Sequence, residues 1–311
     1  MTTLNFADRV HDEMRAKKSR LVIGLDPVWK NLPSSVRYAA ARQYEMEAVN
    51  HEAIVWALRE FCEQIIDATR DIALAYKPQV AFFERYGSDG IQVLERILAE
   101  HDDLLFIADC KRGDIGSTSE AYAQAYFSLP DAPPAPLPAA AVTVNGYLGW
   151  DAIQPYMPYI LSGKGAFVLA KTSNPSAADF QDRLIDGEPL YVHVARKVAQ
   201  WGAQCVGACG FSSLGLVVGA TYPDAARAVR AAAPQSLILV PGLGAQGGSI
   251  DDAPAFCSDG HGAVFNFARA VIYAYKDEPY KDKYGEKGYA QAARAAAELY
   301  RLKLNEVLGA P

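Results

Sequence analysis

The chain has few of the side chains that bind metals through nitrogen or sulfur. Its five histidines are scattered, with no HxxxH or HxH pair, and of its five cysteines only Cys205 and Cys209 lie close together. That spacing is one that zinc ribbons seldom use, so no metal site is expected and the cysteines read as reduced and structural. Excess positive charge is also missing: 30 Lys and Arg against 36 Asp and Glu give a net charge of −6. Nucleic-acid backbones are held by basic surfaces, so a general nucleic-acid binder is excluded and any grip on phosphate must be local. The first twenty residues contain no continuous apolar core. Instead Leu4, Phe6, Ala7, Val10 and Met14 recur at helical spacing, which reads as an amphipathic helix rather than a signal peptide or membrane anchor. A cytoplasmic protein that engages neither membrane nor nucleic acid is expected.

What the chain does have is apolar material, 50% of residues against 21% charged, enough for a large buried core. It is arranged in eight short runs at 21–26, 72–77, 104–109, 140–145, 165–170, 214–221, 236–242 and 262–267. Near-continuous apolar runs suit parallel strands covered on both faces, and the helical patterns between them supply the crossovers. Eight such units predict a closed (β/α)8 TIM barrel in the α/β class, with residues 1–311 as one domain and an N-terminal helical extension. An open doubly wound sheet would more often carry a glycine fingerprint after its first strand, and LVIGLDPVWK has none. Pro223 is placed to open a helix through AARAVRAAA. The connection from Pro27 to about Tyr44 and the proline-rich LPDAPPAPLP segment (129–138) break the rhythm, and both read as surface loops.

Polar residues stand at the carboxyl ends of many runs: Asp26, Lys77, Asp109, Asn145, Lys171 and, just past the eighth, Arg269. In a barrel this is the face where the active site assembles. One such residue is usually a solvated strand end, and it is the coincidence that points to a site. The densest group is FIADCKRGDIGSTSEAYA. Asp109 and Lys111 are two apart on an extended chain and so face the same side, with Cys110 facing away. Asp114 lies beyond a glycine, in the turn before a helix that Ser117 would cap with Glu120. The alternative is an ordinary ion pair at a strand end. VPGLGAQGG, from Val240 to Gly248, is a glycine-rich turn after the seventh run, where barrels often bind phosphate, and Arg269 adds a planar donor fork. Glycines that merely form a tight turn are the competing account. In KTSNPS, Thr172, Ser173 and Asn174 offer groups that either read the edges of a heterocycle or cap a helix.

Taken together and in order, GLDP around Asp26, AYKP around Lys77, ADCKRGDIGSTSEAYA, KTSNPS, VVGATYP, LVPGLGAQGG and NFARAVIYA resemble the orotidine 5′-monophosphate decarboxylase family, in its longer bacterial (type 2) branch. The resemblance covers essentially the whole chain. It implies a cofactor-free carboxy-lyase that converts orotidine 5′-monophosphate (OMP) to UMP and CO2, the last step of de novo UMP biosynthesis. By that resemblance Lys77, Asp109, Lys111 and Asp114 form a charged catalytic array, and Lys111 stabilises the C6 carbanion and donates the proton. Asp26 and Lys77 would hold ribose hydroxyls, Ser173 the pyrimidine, Gln246 both base and phosphate, and Pro241, Gly242 and Arg269 the phosphate. Asp114 and Thr118 would enter the partner's site in a homodimer. A related barrel decarboxylase that acts on a sugar phosphate through a metal-stabilised enediolate uses the same D-x-K-x-x-D motif and is the alternative enzyme, distinguished by EDTA sensitivity. A catalytically silent nucleotide-binding barrel is the alternative outside catalysis, distinguished by UMP binding without turnover.

Overall fold

In a computed structural model the described residues are 5–43, 50–244 and 247–311. Eight strands form one parallel sheet: β1 (Leu21–Leu25), β2 (Ala75–Pro78), β3 (Ile107–Arg112), β4 (Ala141–Val144), β5 (Gly165–Lys171), β6 (Ser212–Val218), β7 (Ser236–Pro241) and β8 (Ala263–Phe267). Their spatial order, β2-β1-β8-β7-β6-β5-β4-β3, puts every strand beside its neighbours in sequence. The two ends of that list meet through parallel bridges Tyr76–Phe106 and Gln79–Asp109, with the Tyr76 N–H donating to the Leu105 carbonyl at 2.9 Å. The sheet is therefore the expected (β/α)8 barrel, and among the described residues no helix is long and apolar enough to cross a membrane.

Helices α1 (Phe6–Lys17), α2 (Ser34–Gln43), α3 (His51–Thr69), α4 (Gly87–Glu100), α5 (Gly116–Tyr126), α6 (Leu190–Trp201), α7 (Pro223–Ala232) and α8 (Tyr289–Leu308) are the longer helical segments. Pro223 opens α7, where its missing N–H leaves no intrahelical bond unmade. Along β1, Leu21, Ile23 and Leu25 join the large apolar cluster shared with the surrounding helices, whereas Val22 joins a second cluster inside the ring. That inner cluster also contains Phe6, Val10 and Met14 of α1, packed on Leu74, Leu105, Ala140 and Leu237 near the strand starts. The amphipathic N-terminal helix thus closes the amino end of the barrel, and each of those three side chains stabilises it by roughly 1.5–3 kcal/mol through burial. Phe6 meets Phe167 edge to face with centroids 6.1 Å apart, and a Cβ at Gly165 would fall 2.3 Å from the Phe6 ring, so β5 must begin with glycine. Asn5 caps α1 by accepting from the Ala7 N–H at 2.8 Å.

Two expectations need correction. The 27–43 connection is not only a loop, since it contains a 3-10 turn (Trp29–Asn31) and helix α2, whose Val36 and Ala40 are buried; Tyr44 lies outside the described residues. Strands β2 and β3 begin three residues later than their apolar runs: Leu74, Leu104 and Leu105 are buried residues just before the strands, although the Leu74 N–H donates to the Leu21 carbonyl and the Leu105 carbonyl accepts from the Tyr76 N–H. Apolarity reports burial, and hydrogen-bonded register is a separate matter. The 129–138 segment has no helix or strand, as its prolines require.

Candidate active site

A cavity of about 370 Å³ opens among the carboxyl ends of the strands, lined by residues of all eight or by residues just beyond them, with Val217 the contribution of β6. Asp26 follows β1, Lys77 and Gln79 come from the end of β2, Asp109 and Lys111 from β3 and Thr143 from β4. Ser173 follows β5, Pro241 and Gly242 end β7, and Asn266 and Arg269 belong to the end of β8.

At the floor stands a line of alternating charges. The Asp109 carboxylate accepts from Lys77 Nζ at 2.7 Å and Gln79 Nε2 at 3.1 Å on Oδ2. On Oδ1 it accepts from Lys111 Nζ at 2.5 Å and Thr143 Oγ1 at 2.8 Å. Burial pushes the Asp109 carboxyl up, but the two lysine charges and their hydrogen bonds outweigh it and hold the group well below the usual carboxylate range. Lys77 is only 4% exposed; burial disfavours its charge, yet Asp109 and Asp26 reverse that and keep it above its ordinary value. Asp26 goes the other way, its carboxyl raised by burial against the pull of Lys77. Asp26 Oδ1 and Asn266 Oδ1 are buried acceptors with no hydrogen-bond partner among the described residues. Buried acceptors are normally satisfied, so two of them on one cavity wall suit a ligand that brings hydroxyl or amide donors.

Asp109 and Lys111 do converge, though not by strand alternation. Ala108 pairs with Val142 and Arg112 with Val144, so Asp109, Cys110 and Lys111 together oppose Thr143 alone. The extra residues bulge, and Lys111 takes a left-handed φ of 45°. The Cys110 side chain turns from the cavity and donates to the Thr143 carbonyl at 3.4 Å.

At the opposite wall Arg269 is exposed at the start of a short helix (Arg269–Ile272), and its guanidinium makes no hydrogen bond or ion pair among the described residues. Gly242 has a φ of 98°, which a side chain would strain, and the loop it opens is closed by a Leu243–Gly248 bridge. Gln246, expected in this loop, lies outside the described residues. Thr172 and Gln181 clasp each other, the Thr172 N–H donating to Gln181 Oε1 and Gln181 Nε2 to Thr172 Oγ1, both at 2.8 Å, which fixes the turn that carries Ser173.

Other sequence-marked residues stay outside the cavity. Lys171 points away and pairs with Asp182 at 2.6 Å beneath the Tyr222 ring, and exposed Asn145 caps its own turn by accepting from the Tyr147 N–H at 3.0 Å. Ser117 does not cap α5: the cap position is Ile115, with no side-chain bond, and Glu120 accepts from Gln124 instead. Among the described residues Asp114 accepts only from the adjacent Ile115 N–H at 2.8 Å, and neither it nor exposed Thr118 lines this cavity. Gln79, Thr143 and Asn266 do line it, and the sequence reading passed over them. Their signal is present, since each is a polar residue within or just after an apolar run.

The model of the orotidine 5′-phosphate decarboxylase / HUMPS family matches residues 19–280, and the chain belongs to that family. An orotidine 5′-phosphate decarboxylase of Caldicellulosiruptor bescii is 40% identical over 288 residues, covering 90% of this chain and 93% of the relative. Among solved structures, the OMP decarboxylase of Leishmania donovani is 31% identical with a TM-score of 0.70, over 96% of this chain and all of that one. The UMP synthase of the same organism is 33% identical with a TM-score of 0.75 and covers 98% of this chain, which spans 57% of it.

Proposed function

We propose that this chain, acting as one barrel domain over residues 1–311, is a cytoplasmic carboxy-lyase that decarboxylates OMP to UMP and CO2. The observation that carries the reading is the Lys77–Asp109–Lys111 array on the floor of a cavity whose far wall bears the uncommitted Arg269. Loss of CO2 from C6 leaves an electron pair in the ring plane, where the pyrimidine cannot delocalise it as an enolate. A positioned external charge must stabilise it. The Lys111 ammonium, oriented by Asp109, supplies that charge and then gives a proton to C6, where the pair left by the broken C6–carboxylate bond forms the new C6–H bond, CO2 departs and the lysine is left as the amine. Lysine has three N–H donors, so the contact with Asp109 leaves others for the substrate. The low proton affinity of Asp109 keeps it a carboxylate at neutral pH, the form that accepts from Lys111 Nζ and orients it.

In this reading Asp26 and Lys77 hold ribose hydroxyls and Ser173 the pyrimidine edge. Arg269, with the backbone at Pro241 and Gly242, holds the phosphate, and Gln246 reaches toward both base and phosphate. Holding the phosphate far from C6 turns remote binding energy into rate. Asp114 and Thr118 complete the site of a second subunit. Support for a homodimer comes from the surface beside them, where Ile115 (52% exposed), Tyr147 (82%) and Leu148 (49%) leave apolar area in water. The reaction asks for no metal or organic cofactor. The test is to follow the loss of orotidylate absorbance with purified protein in EDTA: turnover is expected, and strict dependence on added metal would refute the mechanism.

A further inference from the structure

Three residues of β3 stand opposite one of β4, and that one residue answers all three. Thr143 is 1% exposed. Its hydroxyl donates to Asp109 Oδ1 at 2.8 Å and accepts from the Lys111 N–H at 3.0 Å, while its carbonyl accepts from Cys110 Sγ at 3.4 Å. Regular pairing resumes immediately beyond, where the Asn145 N–H donates to the Arg112 carbonyl at 2.7 Å. A parallel ladder does not normally tolerate this count, and a non-glycine residue at positive φ is unfavourable without compensation. The hydroxyl supplies compensation at the place needed. It binds the backbone of the left-handed residue and the carboxylate that holds the same residue's ammonium, so one side chain fixes Lys111 at both ends.

We infer that Thr143 is a positioning residue for the reaction: its hydroxyl sets the bulge that aims the Lys111 ammonium into the cavity. The inference rests on the decarboxylase reading of this site. Valine keeps the β-branched shape of threonine and suits a buried strand, but it removes both the donor and the acceptor. Serine keeps both. Without the hydroxyl the Lys111 backbone loses its partner and the ammonium its fixed place, and misplacement of a reacting group falls on turnover more than on binding.

The experiment compares wild type, Thr143→Val and Thr143→Ser for OMP turnover and for UMP binding by calorimetry. Thr143→Val is expected to lower kcat by roughly ten- to hundredfold, the size of losing a hydrogen bond to a charged group, with UMP affinity held within about threefold. Thr143→Ser should recover most of the loss. Wild-type kcat in the Val variant would overturn the inference, as would equal losses in both variants. So would loss of UMP binding together with turnover in the Val variant, because Thr143 would then be supporting the barrel and not Lys111. Wild-type protein that binds UMP but turns over no OMP would instead refute the decarboxylase reading, a separate result.

Discussion

Truncating Arg269 isolates phosphate recognition from everything else in the molecule. The guanidinium is exposed and makes no hydrogen bond or ion pair among the described residues, its charge acting on Asp26 only as the smallest of several influences, so Arg269→Ala strands no hydrogen-bonded partner. A surface change of this kind shifts stability by no more than about 0.5 kcal/mol. For a chain of 311 residues unfolding with roughly 2.1 cal/mol/K per residue, that is a change in Tm of under about 1 °C. The ligand should feel it far more. A charge-assisted hydrogen bond to phosphate is worth about 1.5–3 kcal/mol, so UMP affinity should fall by roughly 10- to 150-fold. Uridine has no phosphate and should bind the variant and wild type alike. Titration calorimetry with both ligands at one fixed ionic strength makes the comparison, since an exposed charge is screened by salt. Equal weakening of UMP and uridine would mean that Arg269 shapes the cavity without touching phosphate, and the anion would have to be placed elsewhere.

Lys111→Ala should lower turnover by about 10⁴ or more, combining general-acid and electrostatic contributions, and a loss of less than tenfold in steady-state assays would move the proton donor to another group. Asp109→Asn leaves Lys77 buried without its closest counter-charge, so at pH 7 it should destabilise by roughly 3–5 kcal/mol in denaturant titrations. Because the folded Asp109 pKa is depressed, its contribution is complete above the unfolded value near pH 3.9 and fades as pH falls below it. The gap between wild type and variant should therefore narrow only in acid, and a gap that closes between pH 8 and 6 would contradict the assignment. Mixing inactive Lys111→Ala with inactive Asp114→Ala protein should restore about a quarter of wild-type activity after random exchange, since half the dimers are mixed and one site in each is intact under twofold symmetry. Proven exchange with background activity would place Asp114 in its own chain's site or rule out the dimer.

The barrel was legible because its signal is global. Eight apolar runs recur with helical spacers, and a misjudged boundary at any one of them leaves the topology unchanged. The candidate site was legible where a charged residue at the end of an apolar strand does line the cavity, as at Lys77, Asp109, Lys111 and Arg269. It was not legible at Lys171 and Asn145, which satisfy the same pattern but turn to Asp182 and to the Tyr147 N–H. Sequence spacing states which residue ends a strand; where its side chain points depends on local register. Lys111 shows the limit most clearly, because i, i+2 alternation gave the correct neighbour for the wrong reason. The pairing actually rests on a bulge, and a bulge is set by the facing strand, which the ADCKRGD segment does not contain.

The division between committed and uncommitted polar atoms then assigns the ends of the cavity. Asp109 accepts from four side chains across its two oxygens, which leaves little capacity for a substrate donor and suits it to holding cations in place. Among the described residues that line the cavity, Asp26 Oδ1 and Asn266 Oδ1 are buried acceptors without a partner, and Arg269 is a guanidinium without a hydrogen bond or ion pair. A ligand that satisfies all three brings hydroxyl or amide donors to the first wall and an anion to the second. Under the proposed function, a nucleoside monophosphate supplies those groups in that order along its length, with the base directed toward Lys111 and the Ser173 turn. The hydrogen bonds that occupy both oxygens of Asp109 are thus the ones that hold Lys111 in place beside it.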